Sequence, residues 1–273
     1  MASVQEKTIG ADNKSQSNPS GYILSLTIIA SLFFIFGFVT WVNGTLIPYL
    51  KISCELNEFQ SYLVAFAFYI AYFIMALPAS WVLDKIGYKK GMSLGLFIMA
   101  IGAIIFVPAA QERNYSFFLI GLFVQGIGLS LLQTASNPYV TILGPIESAA
   151  KRISIMGICN KVAGALGSII LAEIVLKGSD DVVAKLATMN AEGKAIILNE
   201  MAQRVITPYI YISIAFVIVS ILMFFAPLPE IDTNKASANN ADEKGSDSIL
   251  SLSLIHISEP TRLRRISYAV FCL

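Results

Sequence analysis

The chain has no Asp, Glu, Lys or Arg in residues 15–50, 59–83, 91–111, 114–146 or 205–229. A helix needs roughly 20 apolar residues to cross the hydrocarbon core of a bilayer, so each window accommodates one span. Soluble domains do not accumulate five such windows, and here 56% of 273 residues are hydrophobic while only 14% are charged. In lipid every backbone N–H and C=O must be satisfied within the protein, which an apolar helix does on its own. The chain therefore reads as an all-α, polytopic membrane protein rather than a soluble enzyme.

Read as helices, the apolar runs predict six spans, near residues 22–48, 60–83, 90–109, 115–141, 152–176 and 206–227. Lys161 and Glu173 interrupt the fifth, but its Gly-rich apolar stretch is long enough to cross. Pro48, Pro78, Pro108 and Pro138 fall near the ends of the first four, where a missing backbone donor does least damage. The implied organisation is a polar tail over 1–21, a six-helix bundle over 22–228, a flexible linker over 229–251 with Asn, Ala, Ser, Asp and Lys, and a final segment over 252–273. That last segment, "SLIHISEPTRLRRISYAVFCL" with its lead-in, has neither a span-length apolar run nor a helical period and reads as a non-native tail, like translated adapter sequence. The alternative is a short basic end lying on the membrane.

Orientation follows from Lys and Arg in the loops. Lys7, Lys14, Lys85, Lys89, Lys90, Lys151, Arg152, Lys235 and Lys244 fall on one side, against Lys51, Arg113, Lys177, Lys185, Lys194 and Arg204 on the other. Both termini are thus expected in the cytoplasm and the protein in the cytoplasmic (inner) membrane. A formal net charge of +1 offers nucleic acid no basic face. Three scattered cysteines (Cys54, Cys159, Cys272) and the single His256 supply neither a disulfide framework nor a metal site. There is no Gly-rich phosphate loop, no Ser/His/Asp set and no HExxH helix, so no cofactor and no enzyme chemistry are expected.

Polar side chains inside spans are costly and mark bundle interiors or aqueous cavities. They are few: Asn43 late in the first span, Gln125, Gln133, Thr134, Ser136 and Asn137 in the fourth, and Asn160 and Lys161 in the fifth. Gln133 and Asn137, four apart, share a helical face and offer paired donors and acceptors suited to sugar hydroxyls, or to hydrogen bonds across helix contacts. Lys161 is the sharpest feature. It lies about 15 Å into its helix, where an ammonium costs roughly 2.5–3.5 kcal/mol on insertion scales. Glu173 is about 18 Å further along the same helix and cannot pair with it. Lys161 reads either as a cavity residue that holds substrate oxygens or carries a coupling proton, or as a snorkelling lysine. Small residues at Gly157, Ala163, Gly164, Ala165, Gly167 and Ser168, and at Gly121, Gly126 and Gly128, are expected to let helices pack closely.

Between the second and third spans stands Asp84-Lys85-Ile86-Gly87-Tyr88-Lys89-Lys90, an acid, a glycine turn and clustered bases. This resembles the signature loop of the major facilitator superfamily. With "FGFVTWVNGTLIPYLK", "AFYIAYFIMALPASWVLDKIGYKKG", "LLQTASNPYVTILGP" and "KRISIMGICNKVAGALG", residues 22–230 are similar to the fucose permease and glucose/galactose transporter family.

The resemblance implies a symporter for a hexose such as fucose, glucose or galactose, with twelve helices in two halves, of which this chain carries the N-terminal six. It implies sugar contacts at Asn160 and Gln133, with Asn43, Asn137 and Lys161 around them, and a gate at Asp84, Lys85, Gly87, Lys89 and Lys90. The family's Asn-Asp pair corresponds here to Asn43-Gly44 and its fourth-helix Glu to Gln133. Both titratable carboxylates are thereby absent, and the coupling ion is open between proton, sodium and none. The implied partners are a small-molecule sugar, the lipid bilayer, and a missing C-terminal half or a second copy. A six-helix channel, sensor or scaffold is the alternative, separated by whether uptake is saturable and stereospecific.

Overall fold

The protein is described from a computed structural model, which covers residues 19–143, 148–176, 182, 190–226 and 228. The polar tail before residue 19, the linker and the final segment, with Lys7, Lys14, Lys177, Lys185, Lys235, Lys244, His256 and Cys272, lie outside the described residues. The helices are α1 (Pro19–Ser53), α2 (Glu58–Met75), α3 (Pro78–Ile86), α4 (Tyr88–Gln111), α5 (Tyr115–Ile142), α6 (Ala149–Val175), α7 (Ala191–Gln203) and α8 (Ile206–Phe225). Six spans are long and apolar enough to cross a membrane, the sixth running from Glu192 to Phe225.

Two elements differ from the sequence reading. The second span is broken at Ala76 and Leu77 because Pro78, as the first residue of α3, has no N–H to continue α2. The sixth is preceded by α7, which the charges Glu192, Lys194, Glu200 and Arg204 hide from an apolar-window search. Helix α7 is amphipathic instead: Leu198, Met201 and Ala202 are buried at helical spacing. It is held to α1 by the buried Tyr49 hydroxyl, which donates to the Met201 carbonyl at 2.6 Å.

Helices α2, α5 and α7 start at the same end of the bundle, and asparagines cap all three. Asn57 forms a reciprocal box with Gln60, Asn114 accepts from the Ser116 and Phe117 amides, and Asn190 accepts from Gly193. The loops of this end are tied by charge. Glu55 pairs with Lys194 at 2.7 Å and Arg113 at 3.8 Å, Arg113 donates to the Ser53 carbonyl, and Lys51 pairs with Glu58. At the opposite end Arg152, almost fully buried, donates to the Val140 and Thr141 carbonyls and so closes the C-terminus of α5.

Lipid supplies no hydrophobic drive between helices, so close backbone approach and interhelical hydrogen bonds set the packing. A Cβ on Gly95 would stand 2.8 Å from the Gly128 carbonyl, and one on Gly102 2.9 Å from that of Gly121. The two pairs are a heptad apart on both helices, so α4 and α5 run antiparallel, with glycine facing glycine. Helix α8 lies antiparallel on the other side of α4. Ser93 and Ser220 each donate to the other's carbonyl at 2.8 Å, and seven residues along Ser213 donates to the Ala100 carbonyl at 3.0 Å. Beyond these, Phe106 stacks on Tyr209 with centroids 4.1 Å apart. Helices α1 and α6 run parallel in one register: a Cβ on Gly37 would meet the Asn160 carbonyl at 1.8 Å and one on Gly164 the Trp41 ring at 2.4 Å. Gly126 packs on Phe68 and Ala71 of α2. The expected small faces are therefore used, except at Gly157, where a Cβ would meet nothing within 4 Å, and at Ala165, which is exposed.

These contacts generate two expectations. Gly37→Ala drives a methyl into backbone that no rotamer change can clear and should cost about 1–3 kcal/mol, whereas Gly44→Ala enters open space and should be neutral or stabilising by up to about 1 kcal/mol. Thermal unfolding of both variants in detergent compares them; equal melting temperatures would contradict the α1/α6 register. Ser93→Ala should cost about 0.6–1.7 kcal/mol, and adding Ser220→Ala should cost less than the sum of the single changes, because the two hydroxyls form one reciprocal pair. A denaturant double-mutant cycle reads this directly.

Candidate functional site

The α1/α6 contact organises the residues with most chemistry. Where the two backbones come closest, the Asn160 amide donates to the Phe33 carbonyl at 3.3 Å. One turn along, Gly164 admits the Trp41 indole, and the Ser168 hydroxyl donates to the Trp41 carbonyl at 3.4 Å. Trp41 is still 47% exposed, so only part of its ring is used in packing. The exposed Lys161 carries its ammonium over that ring, 5.9 Å from the centroid. This is at the outer limit of a cation–π contact. Among the described residues Lys161 has no ion pair. Gly44, three residues beyond Trp41, is exposed with nothing within 4 Å of a Cβ placed there.

Helix α5 presents a polar stripe. Thr134 and Asn137 are exposed, Gln133 and Thr141 half-buried. The threonine hydroxyls are used locally, on the Ser130 and Pro138 carbonyls. The Gln133 and Asn137 amides have no hydrogen-bond partner among the described residues, which leaves two donors and one acceptor on each for a ligand or water.

Asn43 is placed elsewhere. It is 6% exposed, inside the bundle, where its Oδ1 accepts from the Tyr209 hydroxyl at 3.5 Å and its Nδ2 has no partner. Around it lie Gln125, Phe38 and Phe216, in a crevice with no room for a water-sized sphere. A sugar does not fit there, and Asn43 is not brought together with Gln133, Asn137, Asn160 and Lys161. Trp41 is the residue that sequence reasoning missed. Its signal was an aromatic one turn before a glycine in a span, but only the α1/α6 register puts it beside Lys161.

The charged loop folds as α3, a glycine and α4. Gly87 has φ 83° and ψ 161°, backbone open to glycine alone, and ends one helix while starting the next. Asp84, Lys85 and Lys90 are exposed, Lys89 is half-buried, and none makes an ion pair among the described residues. Among the described residues no three His, Cys, Asp or Glu side chains come close enough to hold a metal ion.

Comparison with known proteins agrees with this geometry. The family description "Major Facilitator Superfamily" matches residues 29–273. The chain is similar to a glucose/galactose transporter of Brucella abortus biovar 1 (strain 9-941), 37% identical over 83% of this chain and 52% of the relative. It is similar to the L-fucose-proton symporter of Escherichia coli (strain K12), 32% identical over 99% of this chain and 60% of the relative. Among solved structures, the superfamily transporter FucP in its outward conformation superposes with a TM-score of 0.68 at 31% identity, covering 89% of this chain and 58% of that one. The chain thus spans about half the length of the curated relatives it matches. All of these are transporters by name, and none is an enzyme. With six membrane-length helices packed as described, the chain is an integral membrane protein that belongs to the Major Facilitator Superfamily.

Proposed function

We propose that the chain forms one wall of a cavity through which a hexose of the fucose, glucose or galactose type crosses the cytoplasmic membrane by alternating access. The observation that carries this is the set of exposed polar groups at membrane depth on adjacent helices: Asn137 on α5, with the half-buried Gln133, and Lys161 on α6 beside Trp41 of α1. Unpartnered amides and an ammonium facing lipid would each be expensive, so these faces border water or a partner. Amides grip sugar hydroxyls as both donor and acceptor, and an indole face covers the apolar C–H side of a pyranose. In this reading Gln133, Asn137 and Lys161 are direct contacts, Asn160 fixes α1 against α6 at the edge of the site, and Asn43 supports it from inside.

The relatives named as glucose/galactose transporters and as an L-fucose-proton symporter support a sugar as the substrate. A second six-helix half, or a second copy of this one, would close the cavity. The exposed aromatic stripe Phe59, Tyr62, Phe66, Tyr69 and Phe73 on α2 is a face such a partner would cover. Asp84, Lys85, Lys89 and Lys90 around Gly87 would engage it as a gate. The excess of Lys and Arg at this end supports a cytoplasmic placement for that loop and for both termini. No carboxylate replaces Gly44 or Gln133, so the described half offers no acid to carry a coupling proton at those positions.

The test is uptake of radiolabelled D-galactose, D-glucose and L-fucose into proteoliposomes. Uptake of one D-hexose or of L-fucose should saturate and resist competition by its mirror image, and Gln133→Ala should lower it by roughly tenfold or more, as loss of a polar contact to a bound hydroxyl does. Flux that rises linearly with sugar and ignores handedness would instead mean a passive pore.

A further inference from the structure

We propose that the site formed by Trp41 and Lys161 takes a carboxylated sugar, a hexuronate, whose ring lies on the indole while its carboxylate meets the ammonium. The inference rests on the sugar-transport reading above and names the substrate class more narrowly.

Charge comes first. Lys161 stands well inside the membrane span of α6, and among the described residues its ammonium has no ion pair or hydrogen bond and lies over the Trp41 ring. The other ionisable side chain within α6 beyond Lys161 is Glu173, about 18 Å further along the helix and out of reach. The apolar windows that form α2, α5 and α8 carry no acid at all. Gly44, one turn from Trp41 on α1, and Gln133 on α5 are both neutral. Among the described residues the wall therefore presents one positive charge with no countercharge within reach. An ammonium within a membrane span is unfavourable unless hydrated or paired, and a carboxylate ligand supplies the pair through a short, charge-assisted hydrogen bond. A neutral hexose would accept hydrogen bonds from the same ammonium yet leave its charge uncompensated.

Shape comes second. Trp41 keeps nearly half its surface free, and both glycines flanking the pair, Gly44 on α1 and Gly157 on α6, have nothing within 4 Å of an added Cβ. The helix surface is thus open one turn beyond Trp41 on α1 and one turn before Lys161 on α6. An ammonium 5.9 Å from the ring centroid lies near enough that a ring stacked on the indole would bring a carboxylate on its edge toward Nζ. The Gln133 and Asn137 amides of α5, with no hydrogen-bond partner among the described residues, remain for the hydroxyls.

The sequence has two tryptophans, so Trp81→Phe leaves Trp41 as the sole indole reporter; Trp81 is on α3, away from this pair. Fluorescence of that variant in nanodiscs would be titrated with D-glucuronate, D-glucose and acetate at constant ionic strength. Glucuronate should quench saturably at a concentration roughly tenfold or more below glucose, with acetate inert; Lys161→Gln should abolish the difference between the two sugars and Lys161→Arg should keep it. Glucose equal to or tighter than glucuronate would overturn the inference and leave the hexose reading standing. Acetate as effective as glucuronate would overturn it in favour of a bare anion site. No response to either sugar would remove both the inference and the sugar reading for this chain.

Discussion

Everything in this bundle depends on how close two helix backbones can come when lipid gives them no hydrophobic reason to meet. The tightest approach is Gly37 against the Asn160 backbone, and the same parallel register seats Trp41 on Gly164. On the far side, glycine faces glycine at two levels between α4 and α5, and a reciprocal serine pair locks α4 to α8. Each contact replaces a side chain by backbone, where dispersion and short hydrogen bonds act at full strength. These registers are discrete, since a shift of one residue would bring a Cβ into a carbonyl.

The functional face follows from that rigidity. Helices α1 and α6 spend their small residues on each other, and their larger polar groups are left on the outside of the contact. Asn160 is half engaged, with its amide on the Phe33 carbonyl, while the adjacent Lys161 is turned out over Trp41. A single helical residue step of about 100° thus separates a packing amide from an exposed ammonium. The bundle's interior keeps its own polar pair, Asn43 and Tyr209, in a crevice too tight for a ligand. The division between enclosed and exposed amides is geometric rather than chemical.

The two ends of the bundle are built differently. At one end three asparagine caps and the Glu55, Arg113 and Lys194 cluster tie the loops together, and both Glu55 and Arg113 adopt positive φ, at 51° and 48°. At the other, Asp84, Lys85, Lys89 and Lys90 surround the Gly87 turn without pairing to one another. Among the described residues the charges beside this turn form no ion pairs, whereas Glu55, Arg113 and Lys194 at the first end pair with one another.

Much of this was legible in the residues. Charge-free windows specify membrane spans because the cost of a charge in hydrocarbon is paid locally, whatever the helices pack against, and the six expected spans are present among the described residues, the second cut short at Met75 and the sixth extended back to Glu192. The Asp84 to Lys90 pattern and the amide spacing of Gln133 and Asn137 are equally local, as is the Gly87 turn. Helix α7 was hidden because its burial is amphipathic and depends on a neighbour, Tyr49 of α1. Asn43 and Asn160 look alike in sequence, each an amide late or midway in a span, yet one is enclosed by α8 and the other lies on the α1/α6 seam. Trp41 and Lys161 are 120 residues apart, and no local rule joins them. Sequence by itself determined which segments enter the membrane, since transfer energy is a property of each segment; only tertiary structure decided which polar groups are enclosed and which stay exposed, since that depends on the registers between helices.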